Sequence, residues 1–236
     1  MSAAGLLAGC GGSAATKPPA PAGLASLPAK KIISETDAAV TAAGWVSAGL
    51  TAKAGSDTIT SSGVIGPSVG RETIKLTGGG QATVMVIAGL GYARGSAAVL
   101  HGFLNLPARD TRPRLAHKWI VFHQGDPGYQ QVVPGLTLSS FLAQVVPNGS
   151  LTKTGRTIIA GQAVIGVRAD APASANMPAG TTDTLYVAAT GKPLPVECVE
   201  VIETDKIILT FTRWGQPEKV TRPLHTVPAP GGAGSA

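Results

Sequence analysis

The sequence predicts an α+β fold in which antiparallel strands dominate and two helices pack against them. Three observations lead to this prediction. Glycine and proline are frequent, at 31 and 18 of 236 residues, which is typical of many short strands joined by turns. The last third of the chain contains apolar segments separated by turn residues about every ten positions. Two other segments instead repeat their apolar residues at helical spacing.

Both helical segments carry one apolar face, and residues that can begin or end a helix stand at their boundaries. The first covers 28–43, because Pro28 suits a first helical turn and Gly44 can end the helix. The second begins near Leu138 and ends at the turn 147–149. We expect the apolar faces to pack on the core. They comprise Ile33, Thr36, Val40 and Ala43 in the first helix, and Leu138, Phe141, Leu142, Val145 and Val146 in the second.

Six further segments are predicted to be strands. Segment 72–77 alternates, with Ile74 and Leu76 on one face, whereas 84–88 is apolar on both faces and fits a covered central strand. The segments 184–190, 194–202 and 206–214 form an antiparallel meander. Segment 157–168 is predicted to be one strand, with Gly161 and Ala163 on its inward face.

Small residues recur on the inward faces of these predicted strands, and small side chains inside a curved sheet leave room for a ligand. The high alanine and glycine content of the whole chain explains the same pattern without any cavity. Both explanations, a ligand cavity and the composition, stay open. The candidate cavity residues are Gly161, Ala163, Trp119 and Phe141. Core packing is the default for Trp119, as for Trp45 and Trp214. The full set of small inward residues is Ala48, Gly161, Ala163, Gly166 and Ala188.

The N-terminal run Leu7-Ala8-Gly9-Cys10 resembles the lipobox of bacterial lipoproteins, in which a peptidase cuts before the cysteine and the thiol receives a diacylglyceryl group. We therefore expect Cys10 to be lipidated and to hold the protein on the extracytoplasmic face of the cell membrane. Residues 1–9 are interpreted as a signal-peptide remnant. They contain no lysine or arginine, whereas a full signal has a basic region before about 7–15 apolar residues.

The composition divides the rest of the chain into a tether, a domain and a tail. Residues 10–27 carry the lipidated cysteine and a Gly-, Ala-, Ser- and Pro-rich tether, which cannot bury enough apolar surface to fold. The folded domain is predicted over 28–224, and 225–236 is predicted to be a disordered tail. The remaining cysteine, Cys198, has no intramolecular partner once Cys10 is acylated and is expected to be a small buried apolar residue.

The charge pattern argues against nucleic acid as a partner. The formal net charge is +6, but the basic residues are scattered and no aromatic-plus-basic stripe is present. A mild attraction to anionic lipid headgroups explains the charge better. No apolar stretch of about 18–20 residues, the length of a membrane span, occurs in the sequence.

Neither a cofactor, a metal nor a catalytic site is predicted. The run 89–94 starts like a dinucleotide loop, but Arg94 stands at the third glycine position and no helix follows, so a turn between strands is favoured. His117 and His123 would lie about 20 Å apart on one extended segment, too far to share a metal ion. Ser139 and Ser140 are not in a nucleophile-elbow motif.

Several segments together resemble the LppX/LprG-type lipoproteins of actinobacteria, which have the LolA-like fold. They are residues 91–95, 118–121, 125–129, 161–164, 184–195, 209–215 and 220–223. The resemblance implies a highly curved antiparallel β half-barrel whose open side is covered by helices. It also implies an apolar cavity between sheet and helices that takes lipid acyl chains in characterised relatives. No catalytic residues belong to the family, and no motif marks the residues that line the cavity.

The sequence supports two hypotheses about function. The first is a membrane-anchored, non-enzymatic lipoprotein that binds or carries a lipid or glycolipid in the half-barrel, where each buried methylene contributes about 0.8 kcal/mol. The alternative is an anchored envelope protein that acts through contacts with an unidentified protein partner and has no ligand cavity. A continuous apolar cavity would favour the first hypothesis and a filled core the second.

Overall fold

One curved, unclosed sheet organises the part of the chain that the computed structural model describes, namely residues 23–102, 106, 115–170 and 180–231. The helices are α1 (Ala29–Ala43), α2 (Ala97–Gly102), α3 (Tyr129–Val132) and α4 (Leu138–Val145). The strands are β1 (Val46–Ala54), β2 (Asp57–Ile65), β3 (Val69–Leu76), β4 (Gln81–Ile87), β5 (Leu90–Gly95), β6 (Trp119–Phe122), β7 (Ser150–Ile159), β8 (Gln162–Asp170), β9 (Thr182–Ala188), β10 (Pro195–Ile202), β11 (Asp205–Thr212) and β12 (Thr226–Pro228).

The 12 strands of the sheet follow the order β12-β6-β5-β4-β3-β2-β1-β11-β10-β9-β8-β7. Chain neighbours from β1 to β6 and from β7 to β11 pair antiparallel, and the β1–β11 pair joins the two halves. The pair of β12 with β6 is parallel, so the sheet is mixed at one edge. The predicted α+β class and the antiparallel meander β9–β10–β11 are confirmed.

The first predicted helix is confirmed as α1. Gly44 ends it in the left-handed conformation at φ 72°, and its N–H donates to the carbonyl oxygen of Val40 at 3.0 Å. The buried residues Ile32, Ile33 and Val40 form one face of the helix and pack into the core. Thr36 is fully buried on the same face, where its hydroxyl donates to the Ile32 carbonyl oxygen at 2.9 Å.

The second predicted helix is confirmed as α4. Thr137 caps its N-terminus in a capping box with Ser140, which satisfies backbone donors that the first helical turn leaves free. Leu138, Phe141 and Val145 are buried, whereas Ala143 and Gln144 on the other side are exposed. The helix therefore lies with its apolar face on the sheet. We call this covered side of the sheet the inner face and the opposite side the outer face.

Two clusters of buried residues lie on the inner face. The first core cluster joins α1 and α4 to the strands β1, β2 and β8–β11 and includes Val40, Phe141, Val167, Leu185 and Phe211. The second core cluster joins α2 and α3 to the strands β3–β6 and includes Ile74, Val84, Leu100, Phe122 and Leu136. As predicted for segment 84–88, strand β4 is covered on both sides, because Met85 packs in a smaller cluster on the outer face.

The prediction of one strand over 157–168 is wrong. Strand β7 ends at Ile159 and β8 begins at Gln162, so Ala160 and Gly161 form a two-residue hairpin loop. Their φ values are 49° and 79°, both positive as a type I′ turn requires. The alternation in the sequence therefore belongs to two strands that face each other, and the hairpin tip is exposed.

Two predicted boundaries of the domain also need correction. The disordered tail predicted over 225–236 is wrong in its first part, because Thr226–Pro228 forms β12 against β6 and Ala229 is only 1% exposed. The tether predicted over 10–27 is shortened, because Leu24–Ser26 forms a 3₁₀ turn whose neighbour Leu27 packs on the first core cluster. The Lys153 ammonium donates to the Leu27 carbonyl oxygen at 3.0 Å, which fixes this segment on β7.

Candidate functional site

A cavity of about 230 Å³ lies on the inner face between the two core clusters. Phe141 and Ile65 come from the first cluster and Ile74, Val84 and Leu136 from the second. Alternation along the strands determines these walls, because every second side chain of a strand faces the same side. We call this space the inner cavity. It is lined by Ala48, Gly49, Leu50, Ser61, Gly63, Ile65, Arg71, Glu72, Ile74, Val84, Gln131, Val132, Pro134, Gly135, Leu136, Phe141, Gln144 and Leu209.

Small residues on adjacent strands open this space. Ala48 on β1 stands opposite Gly63 on β2, so two neighbouring inward positions carry at most a methyl group. A Cβ atom at Gly63 would lie only 2.1 Å from the Arg71 carbonyl oxygen, so glycine is required there by the close approach of β3. The inner cavity therefore exists where the sheet provides little side-chain volume.

Polar groups stand on one wall and at the mouth of the inner cavity. Glu72 and Ser61 are half-buried on the inner faces of β3 and β2. Gln131, Pro134 and Gln144 are exposed and form part of the rim between α3 and α4. The arrangement suits an occupant with an apolar part near Phe141 and a hydrogen-bonding end near the glutamines.

The helix that covers the inner cavity is attached to the sheet at both of its ends. At the N-terminal end, the Leu138 N–H donates to the Gly66 carbonyl oxygen at 2.8 Å. Beside it, Gly70 leaves room for the Leu136 carbonyl oxygen, which would lie 2.1 Å from a Cβ atom at that position. At the other end, the Cys198 thiol lies 3.8 Å from the Val145 carbonyl oxygen. Between these attachments, α4 is held by side-chain packing.

Cys198 is buried in the first core cluster, as the sequence predicts, at 5% exposure. Burial raises the pKa of its thiol to about 12, and the nearby carboxylates of Asp183, Glu200 and Glu197 contribute in the same direction. Asp183 and Glu200 stand directly opposite each other on β9 and β10. Burial raises the pKa of both carboxyl groups, and Asp183 raises that of Glu200 further.

The four candidate cavity residues from the sequence lie in different places. Phe141 lines the inner cavity. Trp119 begins β6 and faces a second groove on the outer side of the sheet. Gly161 lies in the β7–β8 turn and Ala163 at the start of β8; both are exposed, and neither lines the inner cavity. Cys10 lies outside the described residues.

Glu72 lines the inner cavity but is not among the candidate cavity residues from the sequence, although the sequence carries a signal for it. Segment 72–77 alternates with Ile74 inward, so the period of two places Glu72 on the same inward face. Ala48 was recognised as a small inward residue, but the β1 sequence gave no indication of the facing Gly63.

The described histidines and serines form no recognisable catalytic arrangement. His123 lies beside Asp126, with 3.4 Å between Nδ1 and the carboxylate, in an exposed turn. His117 adopts φ 62° in the turn before β6, and its carbonyl oxygen accepts a bond from Arg94. Among the described residues, no group of histidine, cysteine and acidic side chains could hold a metal ion, and no helix has the length and hydropathy to cross a membrane.

The comparisons with known proteins bear on the fold. No family model matches the chain, and no curated protein matches it by sequence. By structure, the chain is similar to lipoprotein LppX of Mycobacterium tuberculosis at a TM-score of 0.52 and 14% identity, covering 82% of this chain and 98% of that chain. It has the LppX fold. LprF from Mycobacterium bovis is also similar, at a TM-score of 0.49 and 14% identity, over 83% of this chain and 96% of that chain.

The LppX fold confirms the half-barrel with covering helices that the sequence resemblance implies. In this chain the inner cavity lies between the inner face of the sheet and the helices α3 and α4.

Proposed function

We propose that this protein is an extracytoplasmic lipoprotein, anchored to the cell membrane through Cys10, that binds an apolar chain in the inner cavity without catalysing a reaction. The observation that carries the proposal is the inner cavity itself. It separates two core clusters, it lies under a helix whose backbone contacts the sheet at both ends, and it occurs in the fold of a protein known as lipoprotein LppX.

The walls of the inner cavity determine which molecules fit. Phe141, Ile74 and Leu209 would surround an alkyl chain, and each methylene removed from water contributes about 0.8 kcal/mol. Glu72 would repel a carboxylate that entered deeply. A polar end that donates and accepts hydrogen bonds would lie at the rim, near Gln131 and Gln144. We therefore propose a ligand with one alkyl chain inside and a neutral polar group at the mouth.

The size of the inner cavity requires movement before a whole lipid binds. Its volume of about 230 Å³ is smaller than the 300–1,000 Å³ or so of typical ligand pockets. Helix α4 is eight residues long and contributes Phe141 and Gln144 to the lining of the inner cavity. In the proposed mechanism, α4 moves outward as a chain enters and returns when the chain leaves.

The same small volume favours a second candidate function. If α4 stays in place, the inner cavity is a packing defect and the protein acts through contacts with a protein partner, still anchored by Cys10. The filled first core cluster, with Phe141 against Phe211, favours this candidate.

Filling the inner cavity distinguishes the two candidates. Ala48→Leu would place a larger side chain opposite Gly63, and Ala163→Leu adds the same atoms at the exposed hairpin as a matched control. Protein purified without detergent is titrated with a fluorescent fatty-alcohol probe, and its bound lipids are examined by native mass spectrometry. Melting temperatures are recorded beside both measurements.

If the proposal is correct, the wild-type protein and Ala163→Leu take up the probe, whereas Ala48→Leu remains folded and takes up much less. Absence of both bound lipid and probe uptake in the wild-type protein would contradict ligand binding and leave the protein-contact function. Equal uptake by Ala48→Leu and the wild-type protein would contradict the inner cavity as the site.

A further inference from the structure

A second groove lies on the outer face of the sheet, on the side away from the inner cavity. After β11 the chain crosses this face through residues 213–225, which we call the strap, to reach β12 on the far side of β1–β6. The strap is in contact with the sheet: Val220 packs with the outer cluster of Met85, Tyr92 and Val121, and the Arg222 guanidinium lies 5.9 Å from the centre of the Tyr92 ring. The groove between strap and sheet, the outer groove, has a volume of about 970 Å³.

The floor of the outer groove is a row of small residues contributed by five neighbouring strands, and all of them except Gly49 carry a hydroxyl group. The register places Thr210, Gly49, Ser62, Thr73 and Thr83 side by side across β11, β1, β2, β3 and β4. The adjacent row begins with Thr212 and Ser47. All of these residues line the groove. Outward hydroxyl groups at this spacing of about 4.8 Å from strand to strand can donate to and accept from a polyhydroxyl compound.

The charged residues of the outer groove are predominantly basic. Arg71, Arg213, Lys219 and Arg222 line it, and Glu218 is its only acidic residue among those described. The Arg71 guanidinium donates to Glu218 Oε1, and the Arg213 guanidinium lies 3.7 Å from Oε2 of the same carboxylate. One carboxylate therefore lies between two guanidinium groups, and the groove keeps a net positive charge.

The position of Glu218 marks where an anion can bind. A phosphate monoester carries about −1.5 to −2 charges at neutral pH and three strong acceptor oxygens, more than a carboxylate offers. Guanidinium groups bind phosphate with two parallel hydrogen bonds, which favours exchange of Glu218 for a phosphate on Arg71 and Arg213. Trp119 lines the same groove and offers an apolar surface there.

We propose that the outer groove binds a phosphorylated sugar. The phosphate displaces Glu218 from Arg71 and Arg213, and the sugar hydroxyls contact the Ser/Thr rows of the sheet. This site lies on the opposite face of the sheet from the inner cavity and does not depend on apolar-chain binding, although Ala48, Gly49, Gly63 and Arg71 of the sheet line both spaces. The same chemistry occurs in a free sugar phosphate and in the phosphodiester headgroup of a glycolipid, and the experiment separates these sources.

Two variants that remove opposite partners of the Arg71–Glu218 ion pair should change the affinity for a phosphorylated sugar in opposite directions. Arg71→Gln removes a cation, whereas Glu218→Gln removes the competing carboxylate and keeps both arginines. Arg168→Gln is the matched control, because Arg168 is also ion-paired, to Asp170, and its side chain is 48% exposed against 42% for Arg71. The probes are glucose 6-phosphate, its methyl phosphodiester, glucose and inorganic phosphate. Binding is followed by amide chemical shifts and calorimetry in low-salt buffer.

The expected result is that glucose 6-phosphate binds the wild-type protein and shifts amides of β1–β4 and the strap. Arg71→Gln should weaken binding about tenfold or more, the effect of losing a charge-assisted hydrogen bond, while Glu218→Gln strengthens it and Arg168→Gln leaves it unchanged. Tighter binding of glucose 6-phosphate than of its methyl phosphodiester would identify the ligand as a free sugar phosphate. Tighter binding of the phosphodiester would identify it as the headgroup of a glycolipid.

Three results would overturn the proposal. If Arg71→Gln and Glu218→Gln change binding in the same direction, the effect comes from loosening the strap and not from recognition of an anion. If Arg168→Gln weakens binding as much as Arg71→Gln, the attraction is a general charge effect. If inorganic phosphate binds as tightly as glucose 6-phosphate, the hydroxyl rows do not recognise a sugar.

Discussion

The ring of Phe141 meets the ring of Phe211 edge-on, with 5.4 Å between the centroids and 82° between the planes. Phe141 belongs to the covering helix α4 and Phe211 to the central strand β11. The contact therefore joins the cover of the inner cavity to the sheet. Edge-to-face aromatic pairs contribute about 0.5–1.5 kcal/mol beyond their buried area.

Phe141→Asp should destabilise the protein by several kcal/mol or prevent folding, because a carboxylate in the first core cluster would lack a partner. Thermal and urea unfolding measure the effect. Ala143→Asp, on the exposed side of the same helix, controls for charge and helix propensity and should melt close to the wild-type protein. Equal melting temperatures for Phe141→Asp and the wild-type protein would mean that α4 does not pack as described.

Gly70→Ala should detach the start of the covering helix from the sheet. The new Cβ atom would lie 2.1 Å from the Leu136 carbonyl oxygen, so residues 136–138 must shift, at a cost of about 1–3 kcal/mol. Amide hydrogen exchange of α4 should become faster. Gly78→Ala is the matched control, because a Cβ atom there meets nothing within 4 Å. Unchanged exchange in Gly70→Ala would show that this contact does not hold the helix.

Local sequence patterns predicted both long helices because their ends and apolar faces are encoded within one segment each. Gly44 ends α1 and Thr137 caps α4 within the first or last turn. The hairpin at Ala160 and Gly161 was missed because its sequence is Ala-Gly and not the usual Asn-Gly or Asp-Gly of type I′ turns. Ala88 and Gly89 form a second Ala-Gly hairpin loop, between β4 and β5, with φ values of 51° and 77°.

Long-range pairing was not predictable from the sequence. Strand β12 has the local composition of a loop and is ordered by its parallel register with β6, in which Val227 faces Ile120. The outer groove depends on the same crossing of the strap over the six strands β1–β6. The inner cavity likewise needs β1 beside β2 in a register that brings Ala48 against Gly63. These residues become neighbours only when the sheet assembles, so no local pattern in the sequence indicates their contact.

Cys10→Ala should release the protein from the membrane into the soluble fraction. A single acyl chain binds a bilayer only marginally, whereas a diacylglyceryl group provides the two chains that stable anchoring needs. Fractionation and immunoblotting of cells that express the wild-type protein or the variant give the result. Cys198→Ala controls for loss of a thiol and should remain with the membrane. Full membrane retention of Cys10→Ala would contradict the proposed anchor.

The thiol of Cys198 should not react in the folded protein. Its pKa is raised to about 12, so at pH 8 only about one thiol in ten thousand is the reactive thiolate, and burial also blocks access. In a Cys10→Ala background, a disulfide reagent should label no thiol in buffer and one thiol in urea. Fast labelling in buffer would show that the contact between β10 and the end of α4 opens readily.

The facing carboxyl groups of Asp183 and Glu200 should make the protein less stable as pH rises. Burial raises the pKa of both groups above the unfolded value of about 4, so the folded state holds protons that the unfolded state has lost. Their stabilising effect is complete below that unfolded pKa and is lost as pH rises through the folded pKa. Glu200→Gln removes one charge. The variant should melt at a higher temperature than the wild-type protein at pH 7, and its melting temperature should depend less on pH between pH 4 and 7.

Glu197→Gln, on the opposite face of β10, is the control. Its melting temperature should change with pH as that of the wild-type protein does. If Glu200→Gln instead melts lower than the wild-type protein at pH 7, the carboxylate stabilises the fold and the facing pair is not a source of repulsion.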